Sequence, residues 1–326
     1  MKQLLSLGMA CIVLLASAGR VSAQEKPKSA PPPAAPQRTF DSAKAAADAL
    51  IAAASSDDIA ALKEILGPDG KSIVETSDPV QTKNQLEAFA AQARKDTAVV
   101  LDPKNKDRAT LSVGDDDWPM PIPIVRKNGR WLFDSKAGKR EILFRRIGRN
   151  ELDAIEACRN FVEAQHEYAL EKHDGASLNQ YAQKVISTEG KQDGLVWRNP
   201  DGTFGGPLGE ELGLAIAEGY SKKSEPYHGY YFKVLKGQGP AAPLGKIDFV
   251  IEGAMIGGFA LAAAPSDYRV TGVMTFIVSH DGVVYQKDLG PKTLEAFQKM
   301  ERYNPDKTWH QVVEPPETSD TSTANR

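Results

Sequence analysis

The feature that most limits how this chain can fold is an amphipathic stretch at residues 145–169, near the middle of the sequence. Asn150 can cap a helix there, with Asp153 completing a capping-box-like pair. Four apolar side chains recur at helical spacing and are expected to pack on a following sheet: Leu152, Ile155, Cys158 and Val162. The pattern predicts a long helix between one domain before it and another after it.

The part of the chain before this helix, residues 40–144, is predicted to contain helices first and strands afterwards. The predicted helices cover residues 42–54 and 59–66, and a third begins at residues 77–79. Short β-rich runs predict strands at residues 98–101, 109–113, 121–125 and 130–133. This order indicates an α+β domain with an antiparallel meander. It resembles the cone-shaped nuclear-transport-factor-2-like fold, and that resemblance implies an N-terminal pocket without choosing a function.

The part that starts with the central helix, residues 145–312, is predicted to form a second antiparallel sheet. Short helices are expected at residues 181–187 and 209–219. Strands are expected at residues 227–235, 247–251, 258–264, 272–279 and 283–287. The apolar run at residues 249–264 contains Glu252 and leads into Pro265, so it predicts strands and no transmembrane segment. The whole chain is therefore expected to be α+β.

The N-terminus predicts export. Lys2, an apolar run and the small residues Val21, Ser22 and Ala23 are typical of a secretory signal peptide over residues 1–23. Cys11 offers a lipoprotein alternative, which would leave an apolar stretch on the mature protein. A proline-rich linker at 24–39 and a polar, disordered tail at 313–326 are predicted to flank the domains. The expected location is periplasmic or secreted, after cleavage near Ala23.

Charge and cysteine content exclude several classes of function. The net charge is −3, which gives no overall attraction to nucleic acid or to an anionic membrane. Cleavage of the signal would leave Cys158 as the one cysteine, so no internal disulfide is expected. Its position on the apolar face of the helix favours a buried core residue over a nucleophile.

His228 is the candidate catalytic residue, because Tyr227, Tyr230 and Tyr231 flank it. It could act as a general base or stacking site, with Asp288 or Glu225 as the group that orients it. The structural alternative is a strand histidine whose ring is bonded to the backbone.

Four arginines precede or enter the predicted helix: Arg140, Arg145, Arg146 and Arg149. Arg145, Arg146 and Arg149, together with Tyr227, His228 and Tyr230, form the predicted binding set. An anion site at a helix N-terminus is one interpretation. The other is ion pairing with the acidic run at residues 115–117 or with glutamates of the helix.

No metal or cofactor site is predicted. The chain has no phosphate-binding loop, no nucleophile elbow and no zinc-type cysteine or histidine pair. Residues 115–117 could hold Ca²⁺ through oxygen ligands, but the pattern favours a solvated turn before Trp118. Tryptophans at positions 118, 131, 197 and 309 are expected to anchor cores or domain contacts; an exposed pair could instead bind glycan or peptide.

Several short motifs resemble one family across about residues 40–309. They lie at residues 117–123, 145–152, 227–231, 257–261, 272–276 and 287–290. On these motifs the chain resembles the bacterial exported proteins grouped as domain-of-unknown-function family 2950. The resemblance implies no activity and no catalytic residues.

A second resemblance concerns the C-terminal half alone. Residues 150–155 and 164–168 resemble the exposed half of a type IV pilin or pseudopilin helix. The later segments at 229–232, 262–265, 272–276 and 281–284 resemble the small sheet of a pilin head. No prepilin signal or apolar first helix half precedes them.

Three functions are compatible with these observations. The first is a non-enzymatic module of the cell envelope that binds a partner protein or joins a surface assembly. The second is a small-molecule or glycan binder that uses the N-terminal pocket. The third is a periplasmic hydrolase centred on His228.

Overall fold

The computed structural model describes residues 36–75, 79–219 and 225–313. The predicted signal peptide, most of the predicted linker and nearly all of the predicted tail lie outside the described residues, as does the predicted start of the third helix at residues 77–78. The described part contains helices and antiparallel sheets, so the α+β class is confirmed. Within it, no helix combines the length and apolar character needed to cross a membrane.

The helices begin and end close to their sequence signals. Their bounds are α1 (Ala43–Ser55), α2 (Ile59–Leu66), α3 (Lys71–Val74), α4 (Pro79–Lys95), α5 (Ser135–Tyr168), α6 (Glu210–Glu218) and α7 (Thr293–Lys299). Ser42 caps α1 by accepting a hydrogen bond from the amide of Ala45, and Asp58 caps α2 in the same way. Gly67 ends α2 with a positive φ of 69°, a conformation that favours glycine.

The N-terminal sheet is an antiparallel meander with α1, α2 and α4 packed on it. Its strands are β1 (Thr97–Asp102), β2 (Asn105–Val113), β3 (Trp118–Pro119), β4 (Ile124–Lys127) and β5 (Arg130–Phe133). The strand predicted at residues 121–125 begins only at Ile124, because Pro121 and Pro123 have no amide hydrogen to donate to a neighbouring strand. Gln37 donates to the carbonyl oxygens of Ile65 and Phe133, so the folded domain begins inside the predicted linker.

The C-terminal sheet is built around a strand of small residues. Its order is β18-β16-β15-β14-β9, and all pairs are antiparallel. These strands are β9 (Tyr230–Val234), β14 (Ala260–Pro265), β15 (Met274–Ser279), β16 (Tyr285–Asp288) and β18 (His310–Gln311). Every residue of β14 is buried, and both α5 and α7 contact this strand. The alanines of β14 let two helices approach a central strand closely.

Shorter strands complete the C-terminal part. They are β6 (Lys184–Ile186), β7 (Gly194–Arg198), β8 (Phe204–Gly205), β10 (Gly237–Gln238), β11 (Ile247–Asp248), β12 (Val250–Ile251), β13 (Ala254–Met255) and β17 (Arg302–Tyr303). The helix predicted at residues 181–187 is wrong: β6 pairs in parallel with β7 there. The strands predicted within residues 249–264 are confirmed.

The central helix α5 has 34 residues and is far longer than predicted. At 1.5 Å per residue it extends about 50 Å. Asp134 caps it by accepting from the amide of Ala137, at 3.0 Å. Asn150 therefore lies inside the helix, and its predicted capping role is wrong. The predicted domain boundary at residues 144 and 145 also falls within the continuous helix.

Two separate hydrophobic cores share this helix. Near its start, the Ser135 hydroxyl donates to the Leu66 carbonyl at 2.7 Å, and Gly138 lies against Ile122 of the N-terminal core. Near its end, Cys158 and Phe161 are fully buried in the C-terminal core. Ile155, Cys158 and Val162 are buried as predicted, but Leu152 is 67% exposed, so its predicted packing is wrong. The helix is the covalent and structural link between the cores.

Candidate functional site

The N-terminal domain contains an apolar pocket of about 400 Å³ that opens to the surface. Its floor is formed by buried side chains from α1, α2, β2 and the segment before β4. Six of these are Leu50, Ala54, Leu62, Leu66, Val113 and Ile122. Because α1 and α2 present their apolar faces to the sheet, the walls of the pocket between these helices and the sheet are almost entirely hydrocarbon.

The mouth of the pocket lies between α4, Trp118 and the first half of α5. Residues from these elements line it: Leu86, Ala88, Phe89, Trp118, Met120 and Ile142. Trp118 is 48% exposed and Ile142 is 36% exposed. An exposed tryptophan beside a concave apolar surface offers a large contact area to a bound molecule. Trp118 is therefore not the core anchor that the sequence predicts, whereas Trp131 is buried.

Arg145 connects this mouth with a second, polar cavity. Its guanidinium lies 5.2 Å from the centre of the Trp118 ring. Its Nε donates to Glu141 at 2.8 Å, and another guanidinium nitrogen donates to the Pro119 carbonyl at 2.7 Å. The second cavity has a volume of about 390 Å³ and is also lined by Arg108 and Arg140. The two cavities share Met120 and Pro121 in their walls.

The predicted anion site at a helix N-terminus is wrong, because α5 begins at Ser135 and not beside the arginines. Arg146 and Arg149 are exposed on the middle of the helix. Among the described residues, none of these arginines forms the predicted ion pair with residues 115–117. Asp115 instead lies 3.3 Å from the amino group of Lys95. Arg145 pairs with Glu141, which lies on the same helix, as the second interpretation of these arginines predicts.

His228 pairs with the carboxylate of Asp153, for which the sequence predicts a helix-capping role instead. Its Nδ1 lies 2.6 Å from the Oδ2 of Asp153 on α5, and about half of the imidazole side chain is exposed. Neither predicted orienting residue is its partner, and Asp288 accepts from the Tyr268 hydroxyl instead. His228 has a positive φ of 46° and lies in the turn before β9. The alternative of a strand histidine bonded to the backbone is therefore wrong.

Tyr227 stacks on the His228 ring at 4.4 Å, with an angle of 23° between the planes. Partial burial raises the pKa of its phenol, and the carboxylates of Glu211, Asp153 and Glu156 act in the same direction. The phenol therefore stays protonated at neutral pH. Tyr230 is buried and donates to the Met274 carbonyl at 2.9 Å. Its predicted place in a binding surface is wrong, because its side chain belongs to the core.

The His228–Asp153 pair has the geometry of an oriented base, and the described part of the chain places no nucleophile beside it. Within the described residues, no serine, threonine or cysteine side chain hydrogen-bonds to His228. Cys158 is fully buried, and burial raises the pKa of its thiol to about 12, so it stays protonated and unreactive. Among the described residues, no group of three or more histidine, cysteine, aspartate or glutamate side chains is placed to hold a metal ion.

Asn150, Glu151 and Asp153 attach α5 to two loops of the C-terminal domain. The Asn150 side chain donates to the Thr271 carbonyl at 2.8 Å. Glu151 accepts from the amides of Val273 and Met274 at 2.8 and 3.0 Å, which fixes the start of β15. Together with the His228 contact, these bonds form a polar junction between helix and sheet. Asn150 and Asp153, which the sequence predicts at the start of a helix, instead attach the middle of α5 to the C-terminal domain.

We expect replacement of Glu151 by alanine to lower the free energy of unfolding by about 1–3 kcal/mol, because two backbone amides at the start of β15 lose their acceptor. Chemical denaturation monitored by circular dichroism measures this change. Glu156→Ala on the same helix is the matched control, since Glu156 is exposed, and it should change stability by less than about 0.5 kcal/mol. Equal effects of the two variants would contradict the role given to Glu151.

The described residues thus define a two-core α+β protein joined by one helix, with an apolar pocket at one end and an oriented histidine near the other. Residues 37–312 match the model of the family described as "Protein of unknown function (DUF2950)", and the chain belongs to that family. The family resemblance drawn from its motifs is confirmed. No curated protein and no solved structure matches the chain.

Proposed function

We propose that this protein is an exported, non-enzymatic binding protein that holds an apolar small molecule in the pocket of its N-terminal domain. The observation that carries the proposal is the pocket itself. Its volume of about 400 Å³ lies within the range of about 300–1,000 Å³ that is usual for small-molecule sites. Its walls come from helices and strands that form one core, so the site is held in shape by that core.

The chemistry of the walls favours an apolar ligand over a glycan. Among the described residues, Gln85 and Gln92, both on α4, are the polar side chains of the lining. Both are exposed. Sugar hydroxyls that enter such a pocket would lose their hydrogen bonds to water without replacement, which is costly. A hydrocarbon chain that leaves water for such a pocket instead gains about 0.8 kcal/mol of binding free energy for each buried methylene group.

The N-terminal sequence supports a role outside the cytoplasm. A signal peptide over residues 1–23 would bring the mature protein to the periplasm or the medium, where apolar molecules need a carrier or a receptor. Binding such a molecule is compatible with the broader hypothesis of an envelope module that also contacts a partner protein.

The hydrolase alternative rests on the His228–Asp153 pair. An imidazole oriented by a carboxylate can act as a general base, and the ring is accessible. Ester or amide hydrolysis would also need a nucleophile or a positioned water and a site for the oxyanion. The apolar pocket satisfies the requirements of a binding site with groups that are already in place, so binding is the function supported best.

We expect the protein to bind a neutral apolar fluorophore such as N-phenylnaphthylamine saturably, and Ala88→Phe to weaken that binding about tenfold or more. Ala88 is an exposed residue at the mouth, so a phenyl ring there costs little stability. The ring would displace at least two ligand methylene equivalents, each contributing about 0.8 kcal/mol. Fluorescence titration gives the dissociation constants.

Two controls make the experiment specific. Ala91→Phe places the same ring on the same helix outside the pocket lining, and His228→Ala removes the imidazole of the other candidate site. Both should bind within about twofold of the unmodified protein, given that neither residue lines the pocket. Absence of saturable binding, or equal affinities of the Ala88→Phe and Ala91→Phe proteins, would refute the proposed function.

A further inference from the structure

We infer that the ligand of this pocket is an anionic amphiphile, whose apolar body fills the pocket and whose carboxylate or phosphate head lies beside Arg145, Arg108 and Arg140. The inference rests on the proposed function and adds the class of ligand. It follows from the position of the polar cavity, from its charge and from the hydrogen-bond donors that remain unused there.

The first step is the position of Arg145. Its guanidinium lies over Trp118, which lines the mouth of the apolar pocket, and the same arginine lines the polar cavity. A molecule that extends out of the apolar pocket past Trp118 therefore meets a cation at the surface. Met120 and Pro121 contribute to both walls, so the two cavities lie against the same short segment of the chain.

The second step is the charge of the polar cavity. Three arginines line it, and Glu141 is the one carboxylate among its described lining residues. Glu141 already accepts from the Nε of Arg145. The acidic residues 115–117 are near Trp118 in sequence, but they are exposed and are absent from the lining of either cavity. The head-group region therefore carries excess positive charge.

The third step is the number of free donors. Within the described residues, the guanidinium groups of Arg108 and Arg140 have no hydrogen-bond or ion-pair partner, and both side chains are exposed on the polar cavity. Arg145 uses its Nε and one terminal nitrogen, which leaves donors on the other terminal nitrogen. Planar guanidinium groups suit carboxylate and phosphate oxygens, which accept two parallel hydrogen bonds. A neutral head group would leave this capacity unused.

The experiment compares ligands that share one alkyl chain and differ in the head: dodecanol, dodecanoate and dodecyl phosphate. Each ligand competes with the neutral fluorophore at concentrations below its solubility limit and, for the two anions, below the critical micelle concentration. We expect the unmodified protein to bind the better anionic ligand about tenfold more tightly than the alcohol, with the difference decreasing at high salt. The order of the two anions assigns the head as carboxylate or phosphate.

The variant is Arg108→Gln with Arg140→Gln, both outside the apolar pocket. It should bind the anionic ligand about tenfold more weakly and the alcohol unchanged. Arg94→Gln with Arg269→Gln is the matched control, because it removes two exposed arginines that line neither cavity and gives the same net charge. This control should keep the preference for the anion.

Equal binding of alcohol and anion by the unmodified protein would overturn the inference and leave the proposed function intact. The same conclusion follows if the control pair loses the preference as fully as the test pair. Failure of all three ligands and of the fluorophore to bind would instead refute the proposed function itself.

Discussion

Replacing Gly148 by proline is expected to lower the free energy of unfolding by about 3 kcal/mol or more. Gly148 lies near the middle of α5, between the part that packs on the N-terminal core and the part that packs on the C-terminal core. Proline would remove the hydrogen bond from residue 148 to the carbonyl of Phe144 and would clash with that carbonyl. Because both cores depend on the same helix, a kink there disturbs each of them.

Gly148→Ala is the matched control, and its effect should have the opposite sign. A Cβ atom at position 148 meets nothing within 4 Å, and alanine is favoured over glycine in a helix by about 0.5–1 kcal/mol. Thermal and denaturant unfolding of both variants measure the difference. Similar stabilities of the proline and alanine proteins would show that α5 is not continuous in solution.

Replacing Gln165 by leucine should lower the free energy of unfolding by about 2–5 kcal/mol. Gln165 lies on α5 and is only 1% exposed. Its amide donates to the Ala182 carbonyl at 3.0 Å and accepts from the Ala182 amide at 2.9 Å. Leucine fits the volume but leaves both backbone groups of Ala182 buried without partners, at a cost of about 1–3 kcal/mol each.

Two further variants define the cause. Gln298→Leu makes the same substitution at an exposed position of α7 and should change stability by less than about 0.5 kcal/mol. Gln165→Glu keeps the acceptor for the Ala182 amide but directs a carboxylate at its carbonyl, so it should also destabilise. If Gln165→Leu were as stable as the unmodified protein, the hydrogen bonds to Ala182 would not contribute to folding.

The sequence predicts local structure well where a short-range signal decides it. Ser42 and Asp58 mark the starts of α1 and α2, and the glycines and prolines between strands mark most of the turns. The sequence His-Asp-Gly at residues 280–282 is typical of a hairpin turn, and it joins the antiparallel pair β15 and β16. Cys158 was predicted as core from helical spacing alone, and it is fully buried.

The errors concern residues whose partners are distant in sequence. Asn150 resembles a helix cap because its side chain can accept locally, yet it bonds to Thr271, 121 residues away. Leu152 has the spacing of a core residue, but the packed face of α5 changes along the helix, so a single apolar stripe does not describe it. The partner of His228 is Asp153, which the sequence analysis assigned to a capping pair.

The pocket itself could be expected only from the resemblance to a cone-shaped fold. Its volume depends on how far α1, α2 and α4 lie from the sheet, which no single sequence motif encodes. The mouth could have been suspected from Trp118, since a tryptophan between three aspartates and two prolines is an unusual core anchor. The contribution of Arg108, on β2, depends on sheet register and has no local signal.

The shared helix also determines where this protein can be cut. Proteases cleave extended, mobile segments and spare packed helices, because the peptide must leave its hydrogen-bonded conformation to enter the enzyme. In most two-domain proteins the border is such an extended segment, and a nick there releases two intact halves. Here the border between the cores lies within a 34-residue helix. Cleavage at that border requires the helix to unwind first, so the two halves persist or are lost together.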